Sequence, residues 1–425
     1  MTALVRCWFL IFVVAGMCFG SRANDKSSAL VEAENWRSRL DAAGVEVSLS
    51  YTHEYLANVS GGLRRGGEYN GLVNFGVKFD PEKLTGWRGA LWYANGFYAL
   101  GESLSARDVG DDGNVSNINS RNTVRLYEAW LQQRVDMLTV RLGQLALDSD
   151  FAGSRISDSL PAGELFVHSD FGAMPIFSFN LPSPIFPTAA PGVMVRLDPT
   201  AAFYVQTAVY DGNPSPAEYG DPAEDFAPHA RNDHNVRWRL GADEGLLWIG
   251  ELGWAVNEKN TRQNFLPGLY KLGFFYHSDA FTEWRGGEKT KCNYGGYISA
   301  GQMVWREREE QGLSVFTRAE FAPPDRNVLD FVFESGLVCK GALPGRDEDD
   351  LGVAFCFKNY SRDFSAAERL AGNPARGHEA VIEATYEMKT TTWMTVQPDV
   401  QYIINPAGVD GADAWVVGLR SAVEF

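Results

Sequence analysis

The sequence predicts an all-β protein, a transmembrane antiparallel β-barrel of about 16 strands preceded by a short helix. Three observations carry this expectation. The last residues alternate without a break, with Trp415, Val417, Leu419, Ser421, Val423 and Phe425 on one face and Val416, Gly418, Arg420, Ala422 and Glu424 on the other. A strand that is apolar on one side and charged on the other suits a closed barrel with lipid outside and water inside. The first residues have the form of an export signal. The composition, with 43 glycines, 13% aromatic residues and 22% charged residues spread along the chain, is that of many strands joined by turns and girdled by aromatic rings.

Residues 1–23 read as a signal peptide. One positive charge lies in Met1–Arg6, an apolar run follows from Cys7 to Gly20, and Ser21-Arg22-Ala23 offers small residues to a signal peptidase. The run is shorter than the ~17 residues of a bilayer-spanning helix, so cleavage after Ala23 is expected. Residues 24–44 form a short periplasmic segment, in which Leu30, Val31, Ala33, Trp36, Leu40 and Ala43 are spaced like one side of a helix ending at Gly44. Residues 45–425 read as one barrel, since no Ser/Pro-rich hinge or compositional break divides them.

The first strand is the cleanest, with Val45, Val47, Leu49, Tyr51, His53 and Tyr55 alternating with Glu46, Ser48, Ser50, Thr52 and Glu54. His53 is expected in an interfacial girdle. Tyr69 to Phe79 gives the next apolar face, followed by Trp87, Leu91, Tyr93 and Phe97. Later strands show the same period: Val193–Leu197, Phe203–Val209, Tyr270–Tyr276, Leu313–Phe321, Leu329–Cys339, Leu351–Phe357 and Met394–Tyr402. Two stretches break the rhythm. Gly101 to Asn122 is polar and reads as a long, solvated external loop; the oxygens of Asp108, Asp111, Asp112 and Asn114 do not have the spacing of a calcium loop. Asp150 to Pro191 carries Phe151, Phe166, Phe171, Phe177, Phe179 and Phe186 and must bury itself, either in the lumen or on a neighbouring subunit.

The formal charge is −16, and two units more negative once Arg6 and Arg22 leave with the signal, which argues against nucleic acid. Five cysteines become three after processing, Cys292, Cys339 and Cys356. Cys339 and Cys356 fall on opposite faces of neighbouring strands, so these are packing cysteines rather than a disulfide or a metal site. No nucleophile elbow, phosphate loop or zinc spacing occurs, and no cofactor is expected.

A set of ordered motifs resembles the carbohydrate-selective porins of the OprB type. They are Val209-Tyr-Asp-Gly-Asn-Pro214, Pro267-Gly-Leu-Tyr-Lys-Leu-Gly273, Asn293-Tyr-Gly-Gly-Tyr297, Pro323-Pro-Asp-Arg-Asn327, Pro344-Gly-Arg346 with its acidic tail Asp347 to Asp350, and Val396-Gln-Pro-Asp-Val-Gln-Tyr-Ile-Ile-Asn-Pro406. The similarity runs from about Trp36 to Phe425. The resemblance implies a monomer or loose homo-oligomer of about 16 strands, held in outer-membrane lipid and lipopolysaccharide, that passes small sugars such as glucose. Lys289-Thr-Lys-Cys292 departs from the family pattern.

A neutral sugar presents hydroxyl edges and apolar C–H faces, and charged side chains make the stronger hydrogen bonds to hydroxyls. Alternation assigns Arg196, Glu251, Lys271, Arg318, Glu320 and Asp330 to the lumen, together with Glu54, Arg88 and Trp92. Arg318 and Glu320 are expected to touch sugar, with Phe316 on the same face needing a loop to cover it. Arg326 and Arg346 sit beside Asp325 and Asp347 in turn motifs and are expected to shape loops, and Asp211 reads as a turn former. Two other functions fit an all-β exported chain: a glycan-cleaving enzyme using a carboxylate pair such as Glu251 and Glu320, and a closed structural barrel.

Overall fold

The computed structural model describes residues 36–425 except 154, 158–159, 173, 216–231, 239–243, 258–264, 291 and 309. The expected signal peptide and the first part of the helical segment lie outside the described residues. Residues 36–42 are helical and stop at Gly44, whose φ of 81° is the left-handed ending that glycine favours.

The strands are β1 (Val45–Ser60), β2 (Gly66–Phe79), β3 (Ala90–Leu100), β4 (Val124–Val135), β5 (Leu138–Leu145), β6 (Ala190–Leu197), β7 (Phe203–Asp211), β8 (Leu246–Val256) and β9 (Gly268–His277). A small hairpin, β10 (Phe281–Thr282) and β11 (Lys289–Thr290), precedes β12 (Asn293–Arg308), β13 (Gln311–Phe321), β14 (Leu329–Lys340), β15 (Asp350–Tyr360), β16 (His378–Thr391), β17 (Met394–Ile404) and β18 (Ala414–Glu424). Apart from the hairpin, all of these close one antiparallel barrel of 16 strands. The hairpin takes up Lys289, so the chain's departure from the family pattern falls in a loop outside the barrel wall.

Closure joins the two ends of the chain. Tyr51 opposes Val423, Tyr55 opposes Leu419, and the Phe425 amide donates to the Leu49 carbonyl at 2.9 Å. This register puts Trp415, Val417, Leu419 and Phe425 on the exposed outer face and Val416 and Arg420 inside, as alternation predicted. Exposed aromatics mark both rims. Trp254, Tyr270, Trp305 and Trp393 lie toward the end that carries Phe425, and Trp248, Tyr276, Tyr294 and Trp415 toward the other. The longest connections, residues 101–123, 146–189 and 212–245, all leave the second rim, which by the barrel rule is the extracellular side.

Two strands depart from the sequence expectation, one along its length and one at a single bulge. In β3 the apolar odd set, Leu91, Tyr93 and Phe97, faces the lumen, and Trp92 points outward at 49% exposure opposite Phe79. The inversion has a packing cause: Phe97 is buried against Phe186 of an in-folded loop, with ring centroids 5.2 Å apart, so this side of the lumen is itself an apolar core. In β14 a bulge between Leu329 and Phe331 turns Leu329 inward and leaves Asp330 as the extra residue. The stretch from Gly101 to Asn122, expected to be solvated, also folds inward and buries Leu104, Ser105, Asp108, Val109, Val115 and Ser116.

Candidate functional site

The lumen is narrowed by the phenylalanine-rich stretch from Asp150 to Pro191. Its rings pack on the inner wall: Phe177 lies 4.5 Å from Phe275 of β9, and Phe166 lies 5.8 Å from Phe316 of β13. Phe166 thus covers the Phe316 ring that sequence alternation had left uncovered. Burying each such ring contributes roughly 1.5–3 kcal/mol, enough in sum to hold a long segment against the wall. The wall is cut away to receive it. A Cβ at Gly352 would stand 2.8 Å from both Leu165 and Phe166, and one at Gly301 would stand 2.8 Å from Ile156.

Charged wall residues hold the backbone of this loop. Glu251 accepts from the Ala152 amide (2.9 Å), Tyr204 (2.8 Å), Gln206 (2.9 Å) and Tyr297 (2.6 Å). Lys271 donates to the Gly153 carbonyl at 2.7 Å. Arg318 pairs with Glu320 at 2.9 Å and Glu334 at 3.1 Å and donates to the Ala152 carbonyl at 3.1 Å, while Glu320 accepts from the Ile176 amide at 3.0 Å. The expected sugar contacts Arg318 and Glu320 are therefore corrected: each is 1% exposed and serves the loop. Glu251, at 2% exposure with its oxygens engaged, is equally ill placed to form a hydrolytic carboxylate pair with Glu320.

Several anchors escaped the sequence reading. Glu383 accepts from the Val167 and His168 amides at 2.6 and 2.9 Å, Gln397 donates to the Leu165 carbonyl at 2.7 Å, and Lys358 bridges Asp170 (2.7 Å) and Glu379 (2.5 Å). Each occupies the lumen parity of its strand, so strict alternation carried through β15 to β17 is the signal that finds them. The Gly101–Asn122 stretch is tied the same way. Glu379 accepts from the Asp112 and Gly113 amides, Gln401 donates to the Val115 carbonyl, and Arg420 reaches Asn117 at 2.8 Å while pairing with Glu54 at 2.6 Å. Burial raises the Asp112 carboxyl above the ordinary range, against the pull of Arg376.

The remaining candidates scatter. Arg196 is a lumen residue stacked 3.8 Å above the Tyr204 ring and paired with Asp198 at 2.9 Å. Arg88 lies in the turn before β3, outside the lumen, with its side chain 89% exposed and 3.5 Å from Glu82. Trp92 belongs to the outer face, and Asp330 accepts from Asn359 at 2.7 Å in the β14 bulge. Among the loop residues, Arg326 forms a two-pronged pair with Asp325, both contacts 2.8 Å, which holds the Asp325 carboxyl below its usual range. Arg346 pairs with Asp349 at 2.6 Å, in place of the expected Asp347. Asp211 ends β7 and meets Arg237 at 3.3 Å.

Water reaches a different pair. Arg155 and Glu164, both on the in-folded loop, are 57% and 36% exposed and 2.5 Å apart. A Cβ at Gly153 would stand 3.7 Å from Glu164 and 3.9 Å from the Lys271 ammonium, so cation, carboxylate and a backbone carbonyl held by Lys271 converge there. Opposed charges at a wet constriction present strong donors and acceptors to a neutral, hydroxyl-rich solute. Among the described residues no group of three or more His, Cys, Asp or Glu is placed to hold a metal.

A closed barrel of this size, narrowed from within by a loop anchored on charged wall residues, defines a porin of the outer-membrane type. The comparisons with known proteins agree. The carbohydrate-selective porin, OprB family, matches residues 64–425, and the chain belongs to that family. It is 26% identical to Porin B of Pseudomonas aeruginosa, covering 98% of this chain and 96% of that one, and 23% identical to Putative porin QuiX of Acinetobacter baylyi, covering 99% and 100%. The high pH structure of Pseudomonas putida OprB has the same fold, with a TM-score of 0.81 at 23% identity over 93% of this chain and 97% of that one.

Proposed function

We propose that this sugar porin admits small neutral sugars of glucose size to the periplasm by passive diffusion, past the constriction built on the Asp150–Pro191 loop. The observation that carries the reading is the exposed Arg155–Glu164 pair, which stays wet on a loop whose other charged contacts are buried against the wall. A sugar exchanges its hydration for charge-assisted hydrogen bonds there and keeps moving, because water competes for the same exposed groups and contact stays weak enough to leave. The barrel works in the outer membrane of a Gram-negative bacterium, as a monomer or loose homo-oligomer surrounded by lipid and lipopolysaccharide, after loss of residues 1–23. Membership of a channel family makes catalysis no part of this reading.

The test is sugar-dependent block of ion current through single channels in planar bilayers. Glucose should interrupt the current, and Arg155→Ala should weaken the block about tenfold, the effect of one lost charge-assisted hydrogen bond. A current indifferent to glucose would overturn the reading.

A further inference from the structure

Above the constriction, the fold builds a second recess separate from the exposed Arg155–Glu164 pair. Residues 178–188 of the in-folded loop and the turn Asn213-Pro214-Ser215 after β7 enclose a cavity of about 150 Å³. At roughly 30 Å³ per water in the liquid, the recess takes about five waters, room for one face or edge of a hexose ring. Its lining includes Ser178, Leu181, Ile185, Phe186, Asn213 and Ser215, and none of the described lining side chains is charged.

Ser215 is the telling residue. Its side chain lies on the cavity, the residue is 8% exposed, and its hydroxyl has no hydrogen-bond partner among the described residues. A buried hydroxyl left unmatched costs free energy, so the site is built to meet a polar group from outside the fold. The turn that presents it is rigid: the Asn232 amide donates to the Pro214 carbonyl at 2.8 Å, and the Ser215 amide donates to Asn213 at 3.3 Å. Phe186, also on the lining, is fixed by Phe97 and Tyr127 at centroid distances of 5.2 and 5.9 Å. Hydroxyl and amide groups lining one recess together with an aromatic ring, Leu181 and Ile185 match the two kinds of surface a sugar presents.

We infer that this recess is an entry subsite for one neutral monosaccharide, loaded before the constriction. None of the described lining side chains is charged, so a phosphorylated or acidic sugar would lose water from its charge there without gaining a partner among them. The subsite rests on the sugar-porin reading above and adds a holding position to it. Ser178 is exposed and stands at the mouth.

The experiment uses full-length protein with Ser178→Cys in liposomes, measuring N-ethylmaleimide modification at position 178 by peptide mass, alongside swelling of wild-type liposomes in glucose. Glucose should slow modification saturably, and glucose 6-phosphate should not. Adding Ser215→Val should raise the half-protecting glucose concentration roughly two- to tenfold, the effect of one neutral hydrogen bond. Heat-modifiable gel mobility confines the measurement to folded barrel. A thiol at position 178 that glucose leaves unprotected, or that glucose 6-phosphate protects equally, in protein whose wild-type liposomes still swell overturns the subsite and leaves the porin reading intact. Liposomes that do not swell overturn both.

Discussion

Arg318→Ala probes how the loop is held. The guanidinium sits 2.9 Å from Glu320, 3.1 Å from Glu334 and 3.1 Å from the Ala152 carbonyl, and all three charged residues are 1% exposed. Removing one partner of a buried ion pair costs about 3–5 kcal/mol, because the charge left behind has lost both water and its partner. Here two carboxylates are left behind, and the cheapest relief is entry of water between wall and loop. The Ala152–Ile176 segment should then detach, and single-channel conductance should rise while the folded band unfolds at lower temperature on gels. Pairing Arg318→Met with Glu334→Gln and Glu320→Gln removes the orphaned charges and should restore part of the stability. Unchanged conductance and unfolding temperature in Arg318→Ala would refute the anchoring argument.

Other outcomes follow from the same geometry. Val417→Arg, on the lipid face, should cost roughly 2–4 kcal/mol if near the bilayer midplane; the lumen control is Ala422→Arg, because a Cβ at Gly418 would meet Leu56 at 2.1 Å, and equal losses at Val417 and Ala422 in unfolding titrations would contradict the register. Denatured, unreduced protein should titrate with three thiols, since Cys339 faces outward opposite Leu351 and Cys356 faces the lumen opposite Glu334; a single thiol would show a bridge. Arg326 depresses the Asp325 carboxyl, so the ordering of that loop is present above the unfolded value near pH ~3.9 and lost as pH falls through the lower folded value. Limited proteolysis across residues 322–328 should therefore accelerate only in acid, and equal cleavage rates at neutral and acid pH would speak against it.

Period-two alternation made the barrel legible, because a wall between lipid and water must alternate. It also assigns Glu54, Arg196, Glu251, Lys271, Arg318 and Glu320 to the inner face. It failed at β3, where the lumen is packed with phenylalanine and the apolar face is the inner one, so Trp92 was assigned inward and Phe97 outward. A single bulge displaced Asp330, a feature no local pattern in β14 announces. The polar stretch from Gly101 to Asn122 reads as solvated because its burial depends on Glu379, Gln401 and Arg420, hundreds of residues away. The same limit applies to Arg318: parity locates a lumen side chain but does not say whether water or a loop meets it. The aromatic content of Asp150 to Pro191 does reveal a segment needing cover, whereas no local pattern marks Arg155 and Glu164 within it.

The central claim, that a loop-narrowed barrel passes small neutral sugars selectively, is tested most directly by liposome swelling with purified protein over solutes of graded size. Pentoses and hexoses should enter fast, disaccharides slowly and trisaccharides scarcely, with glucose 6-phosphate slower than glucose. Swelling that is absent, or that is equal for glucose and a trisaccharide, would contradict the account.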